Sequence, residues 1–515
     1  MSDDKETVRA HDDDYLRPGD QRNSDYKDAV PPSSKPLSYL RLAGLVLGPL
    51  VALIILISPA PEGMAPEAWR MVAITVWMVV WWLSEAVPIP ATALLPLALM
   101  PLLDVQSMSD TSAKYGHPLI FLFLGGFLLA AGMQRVGLHR RVALRIVTAV
   151  GTTPSRIVLG FMLATAFLSM WISNTATTIM MYAVGLSVID FVGTKTADRT
   201  MVRNFGVALM LAIAYSASIG GVGTLIGTPP NALLASYLQS NYEMEISFLG
   251  WMLVGVPIVL IMLPLAWLLL TRLLFPAHRI AIDDPKGVVE KELSALGAMS
   301  RGEKLVGAVF LCAALSWIFR QPMSSLTGLP LNDTIIAITA ALVLFAVPIS
   351  RARAEFALDW EAARNVPWGV LLLFGGGLAL AGGFSTTGLA EWIGNSVTGF
   401  QISTMLLVLV VTISIVYLTE ITSNTASTAT FLPILGAVAV GLSLNPAIMT
   451  IPVALGASMA FMMPVATPPN AIVFSYEEMK LSDMVRAGFL LNILAIGVAF
   501  GIFVTLGPLV FGFEL

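Results

Sequence analysis

The sequence predicts an all-α polytopic membrane protein built from two repeats of inverted topology. Three observations carry this. The 515-residue chain is 56% hydrophobic and 12% charged, roughly half the charged share of a soluble domain. Two nearly identical polar motifs recur in apolar surroundings, "SNTATT" at Ser173–Thr178 and "SNTAST" at Ser423–Thr428. Lys and Arg gather in loops that alternate with the apolar segments, as the positive-inside rule requires.

The first ~38 residues are polar, acidic and rich in Ser and Pro. They lack the basic start and apolar core of a signal peptide and are expected to form a disordered cytosolic tail. A crossing helix needs about 20 apolar residues. Segments near 39–59, 68–86, 89–104, 118–135, 203–238, 247–274, 304–320, 333–350, 366–386, 447–474 and 484–512 are the candidates, about 11 transmembrane helices. Two further apolar stretches, near 155–192 and 402–440, are interrupted by the SNT motif, and each half is short for a crossing. They read as two re-entrant hairpins, whose irregular backbone is allowed at membrane depth only inside protein or beside a polar cavity.

Charge fixes the orientation. With the N-terminus cytosolic, the fourth crossing returns the chain inside at Arg135, Arg140, Arg141, Arg145 and Arg156. The loops holding Arg279, Lys286, Lys291, Arg301 and Lys304, then Arg351, Arg353 and Arg364, then Lys480 and Arg486, also fall inside. The outer segments 239–246 and 385–401 contain no Lys or Arg. The C-terminus is expected outside. One cysteine, Cys312, and four scattered histidines leave no disulfide framework and no metal cage; the net charge of −4 is small and says nothing about nucleic acid, and no nucleic-acid partner is expected.

The doubling extends beyond SNT. "FLGGFLLAAGMQRVGL" (Phe123–Leu138) resembles "FGGGLALAGGFSTTGL" (Phe374–Leu389), and "GTPPNALL" (Gly227–Leu234) resembles "ATPPNAIV" (Ala466–Val473). The order is the same in both halves: Gly-rich span, amphipathic connector, broken hairpin, broken span. Five crossings separate the hairpins, so they enter from opposite sides. Paired interrupted segments in inverted halves point to a transporter's midplane site.

The chemistry of the motifs agrees. Ser-Asn-Thr offers hydroxyls and a carboxamide, suited to an anion or a cation, at the N-terminus of a second arm whose free N–H groups favour anions. The prolines of TPPN interrupt a helix and free the preceding carbonyls, which suit a hard cation such as Na⁺. Neither motif region has an embedded Lys or Arg, so bound cations would supply the charge a dianion needs. "GGVGT" (Gly220–Thr224) lacks the Gly-Lys-Ser/Thr of a phosphate loop. Glu85 and Glu420 are notable embedded acids, each a proton or cation carrier or a structural contact at a helix end, the latter favoured. Trp77, Trp81 and Trp82 read as interfacial or packing residues.

Over about residues 40–515 these paired SNT motifs and proline-broken helices resemble the divalent anion/sodium symporter family, carriers of di- and tricarboxylates. The resemblance implies a homodimer of elevator type, with a scaffold and a moving transport domain in each protomer. It divides the chain into the tail 1–38, scaffold helices 39–117, a first repeat 118–275, a cytosolic loop 276–303, further scaffold helices 304–365, and a second repeat 366–515. It implies substrate contacts from Ser173, Asn174, Thr175, Thr228 and Pro229, and from Ser423, Asn424, Thr425, Thr467 and Pro468. One sodium site would use Ser169, Ser173, Asn174 and the carbonyl of Gly227; the other Thr419, Asn424 and the carbonyls of Thr422 and Ala466. The expectation is a non-enzymatic cell-membrane carrier taking up C4-dicarboxylates with sodium ions and needing no organic cofactor. The rivals are a sodium-independent exchanger, a citrate or sulfate carrier, and an intramembrane hydrolase. No His near SNT and no GxSxG favours the last.

Overall fold

The computed structural model describes residues 39–151, 153–196, 198–276, 287–350, 354–397 and 403–515. The expected tail, and Arg279, Lys286, Arg351 and Arg353 among the loop charges, lie outside these. Among the described residues the chain is mostly helical. Eight helices are long and apolar enough to cross a membrane, or nine if Arg301–Ile318 and Arg320–Thr327, bent by 85°, form one span.

Two of the eight, Asn174–Thr194 and Asn424–Gly441, are the second arms of the expected hairpins. Even with the bent pair counted, four of the eleven expected spans (68–86, 89–104, 333–350 and 447–474) are therefore not among them; Pro66–Ser84 forms as a helix but carries Glu67 and Arg70. The segment 89–104 carries Pro90, Pro96 and Pro101 and folds as two short helices, Ile89–Thr92 and Leu95–Leu102. The helix of 333–350 stops at Ala346, and Pro348–Ser350 pairs antiparallel with Glu355–Phe356. That two-stranded ribbon corrects the all-α expectation. The segment 447–474 is divided into Pro446–Ala457 and Pro468–Phe474, and 203–238 into Arg199–Gly221 and Pro229–Tyr242. The prolines of TPPN open the later helix of each pair, where a missing N–H costs nothing. Conversely, the second hairpin arms are longer than expected: Asn174–Lys195 has 22 residues and Asn424–Gly441 has 18.

Glycine sets the closest contacts. A Cβ on Gly125 would lie 2.6 Å from the Ala337 Cβ, so Pro118–Arg135 packs backbone to backbone on Asp333–Ala346. Helices from the two halves of the chain interleave. Asn174–Lys195 packs on Pro468–Phe474 of the other repeat, and Asn424–Gly441 packs on Pro229–Tyr242. Each hairpin is thereby held against the opposite half's broken span. On the loop side, buried Arg141 of the connector Leu138–Val150 binds Glu303 at 2.6 Å and the Gly297 carbonyl at 2.8 Å, fixing the connector to the start of Arg301–Ile318. Trp77 and Trp81 stack edge to face at 5.4 Å and press on Gly48 of the first helix, so they serve packing.

Candidate functional site: two oxygen clusters at the hairpin tips

The first hairpin turns between Pro154–Ser169 and Asn174–Lys195. Ser173 caps the second arm, its hydroxyl accepting from the Ala176 N–H at 3.2 Å. A capped start fixes the direction of the arm and returns the Asn174 side chain to the end of the first arm. One terminal atom of its amide lies 2.5 Å from Ser169 Oγ, 3.2 Å from the Ala217 carbonyl and 3.3 Å from the Gly227 carbonyl. Ser169 itself donates to the Ala217 carbonyl at 2.7 Å. With the NH₂ turned inward, Asn174 donates to this set. With the amide oxygen turned inward, four oxygens face one another, and a cation among them satisfies all four.

The second hairpin repeats the arrangement. Thr419, at the end of Thr404–Thr419, donates to Asn424 Oδ1 at 2.7 Å and lies 3.4 Å from the Ala457 carbonyl. Thr178 and Thr428 each donate to the backbone carbonyl of the motif Asn, both at 2.8 Å. The breaks match as well. Asn231 donates to the carbonyls of Gly221 at 3.2 Å and Thr224 at 2.8 Å. Asn470 donates to the counterpart carbonyls of Ala460 at 3.4 Å and Met463 at 3.0 Å. The internal repeat is therefore written in hydrogen bonds as well as in sequence.

The structure brings Ser169, Asn174 and the Gly227 carbonyl together as expected, and Thr419 with Asn424. Ser173 spends its hydroxyl on capping. Thr422 uses its hydroxyl on Ser427, at 2.7 Å, and on the Leu418 carbonyl at 2.9 Å. Thr228 and Thr467 are buried at the N-caps of the post-break helices, and Thr467 accepts from the Asn470 N–H at 3.2 Å. Thr175 and Thr425 are half-buried just inside the second arms, and Pro229 and Pro468 begin the post-break helices. The carbonyls of Ala217 and Ala457 were not anticipated. Any residue supplies a carbonyl, and only the paired "AS" at 217–218 and 457–458 hinted at them. Of the two embedded acids, Glu85 stands at a helix C-cap and accepts from Arg41 at 2.9 Å, with about half of its side chain exposed. Glu420 is buried against the second break.

The tips differ in surroundings. Trp171, beside the first motif, stacks near Trp317 at 6.5 Å and meets Phe310 edge-on at 4.9 Å. Its counterpart Ile421 is 71% exposed. One tip is wedged against a neighbouring helix while the other is open.

Comparison with known proteins shows the family. The model of the sodium:sulfate symporter transmembrane region matches residues 40–513, nearly the whole chain. The chain belongs to the sodium:sulfate symporter family. Within that family it is similar to the sodium-dependent dicarboxylate transporter SdcS of Staphylococcus saprophyticus, 42% identical over 97% of this chain and 98% of the relative. The SdcS of Staphylococcus aureus strain RF122/ET3-1 is 40% identical over 93% of this chain and 94% of the relative. Among solved structures the fold resembles the YdaH transporter of Alcanivorax borkumensis, with a TM-score of 0.58 at 14% identity, covering 84% of this chain and 98% of that one.

Proposed function

We propose that this chain is a sodium-driven importer of C4-dicarboxylates such as succinate, malate and fumarate. The observation that carries the reading is the pair of oxygen clusters, Ser169–Asn174–Ala217–Gly227 and Thr419–Asn424–Ala457. The names of the SdcS relatives supply the substrate class. In this reading each motif Asn is shared. Its amide oxygen turns to a sodium ion, and its NH₂, with Thr175 or Thr425, faces a substrate carboxylate. Thr228, Pro229, Thr467 and Pro468 border the same pocket from the breaks, and the carbonyls of Thr422 and Ala466 complete the second cation shell. Sodium then builds the anion site, because a dianion at membrane depth without counter-charge is very costly.

The wedged tip and the open tip support a carrier held in one of two states. We assign the hairpins as re-entrant and the transport step as an elevator movement of the two repeats against the helices 39–117 and 304–365, in a homodimer embedded in the cell membrane, N-terminus inside and C-terminus outside. The test is uptake of labelled succinate by liposomes holding the purified protein. Accumulation under an inward sodium gradient, and none in choline, is expected. Equal uptake in choline, dependent on succinate loaded inside, overturns the reading in favour of an exchanger. Stronger competition by citrate or sulfate than by malate overturns the substrate class.

A further inference from the structure

The two hairpin tips differ at one buried charge. The first tip carries Met170, whereas its counterpart in the second is Glu420, only 3% exposed. The Glu420 carboxylate accepts from the N–H of Phe461 at 2.7 Å, of Met462 at 2.9 Å and of Met463 at 3.0 Å, and from Asn492 Nδ2 at 2.7 Å. Every bond is an acceptance, which suits a carboxylate. Among the described residues no salt bridge joins it to a Lys or Arg.

The N–H groups it collects belong to the break. At the matching place in the first repeat, the Val222 N–H reaches the Ile219 carbonyl at 3.2 Å and the Gly223 N–H reaches Gly220 at 2.9 Å. There the helix closes on its own last turn. In the second repeat the helix closes earlier, the Ser458 N–H reaching the Leu455 carbonyl at 3.2 Å and the Met459 N–H reaching Gly456 at 3.1 Å, and Phe461–Met463 then lie outside any helical turn of that helix. Unpaired N–H groups in a dry interior are costly, and Glu420 supplies their acceptors. The last helix, Leu481–Phe511, backs the segment. Asn492 is fully buried there, and a Cβ on Gly488 would lie 2.2 Å from the Phe461 carbonyl oxygen. The first break is tied to its tip differently, by the Thr224 hydroxyl donating to the Met170 carbonyl at 2.5 Å.

We infer that Glu420 is a positioning residue of the second cation site, and that its charge makes that site the tighter of the two. It follows Thr419 directly, and the segment it grips leads into Ala466 and Thr467. A negative charge in a low-dielectric interior attracts a nearby cation far more strongly than it would in water. The first site has an uncharged methionine in that place. Sodium therefore fills the second site first and stays there when the first is empty. This rests on the symport reading above.

The test compares wild type, Glu420→Gln, Asn174→Ala and Asn424→Ala as full-length purified protein. Two curves are measured against sodium concentration: succinate uptake in liposomes and thermal stabilisation in detergent. Glu420→Gln is expected to raise half-saturating sodium at least about tenfold and to flatten the uptake curve, because buried charges act strongly on neighbouring ions. Half-saturating succinate at full sodium should stay within about twofold, since the substrate contacts are untouched. Wild-type sodium dependence in Glu420→Gln, or a loss of maximal rate alone, overturns the inference. The stabilisation curves decide the case even where Glu420→Gln does not fold. Asn174→Ala should keep the wild-type sodium midpoint, and Asn424→Ala should shift it by about tenfold or more, the cost of losing one ligand to a charged group. Equal shifts in both overturn it. A wild-type protein indifferent to sodium fails the symport reading itself, which separates the two failures.

Discussion

Gly221→Ala tests the first oxygen cluster with a single methyl group. A Cβ at this position would stand 2.8 Å from Asn174 Oδ1 and 3.2 Å from the Gly227 carbonyl. Ordinary contact begins near 3.4 Å, so the Asn174 amide must retreat by about 0.6 Å, beyond the ~0.5 Å within which a binding constellation works. The amide is the free end of a side chain and gives way cheaply. Fold stability should therefore change little while sodium binding suffers. Losing one ligand to a charged group costs about 1.5–3 kcal/mol, which is roughly a ten- to 150-fold rise in half-saturating sodium. The assay is succinate uptake by liposomes across a range of external sodium, with detergent thermal unfolding as the control. The second break offers an internal contrast, since Ala460 already occupies the matching place. Ala460→Gly should leave the sodium curve at its wild-type position. A Gly221→Ala protein with a wild-type sodium curve would refute the placement of Asn174 at a cation site.

Further outcomes follow from the same contacts. Asn174→Ala and Asn424→Ala should each abolish succinate uptake while size-exclusion behaviour stays that of the wild type; uptake at the wild-type rate in both contradicts the sharing of each Asn between ion and substrate. Glu303→Gln leaves the buried Arg141 guanidinium without its counter-charge, and thermal unfolding should show a loss of about 3–5 kcal/mol. Replacing both residues by methionine should recover most of that, since buried ion pairs exchanged for apolar pairs are often neutral. Trp251→Phe removes the Nε1–H that donates to the Val222 carbonyl at 2.8 Å; stability should fall by about 1–3 kcal/mol, with sodium activation weakened because the first break loosens.

The parts of this architecture legible in the sequence are those where polarity is expensive. Ser, Asn and Thr inside apolar stretches stand out, and their recurrence at Ser173 and Ser423 gave the repeat, the motif Asn residues and the proline-broken spans. Hydropathy was less informative about helix counts. It counts apolar residues, and Pro90, Pro96 and Pro101 are tolerated in an apolar run while dividing it into short helices. The ribbon at Pro348–Ser350 has no residue pattern long enough to announce a strand. Within the candidate site, the side chains and the carbonyls of Gly227, Thr422 and Ala466 were implied by the family resemblance, and two further backbone groups were not. The carbonyl of Gly227 came from the family resemblance, whereas those of Ala217 and Ala457 are set by where the neighbouring helix passes the tip. Glu420 stood out as an embedded acid. Its partners did not, because the N–H groups of Phe461, Met462 and Met463 carry no signature of their own.

The central claim is that sodium ions at the hairpin tips build the site for the dianion. Equilibrium binding of succinate to the purified protein, titrated in sodium and in choline at equal ionic strength, tests it most directly. The account predicts saturable binding in sodium and none in choline at the same succinate concentrations. Equal affinity in the two buffers would contradict it.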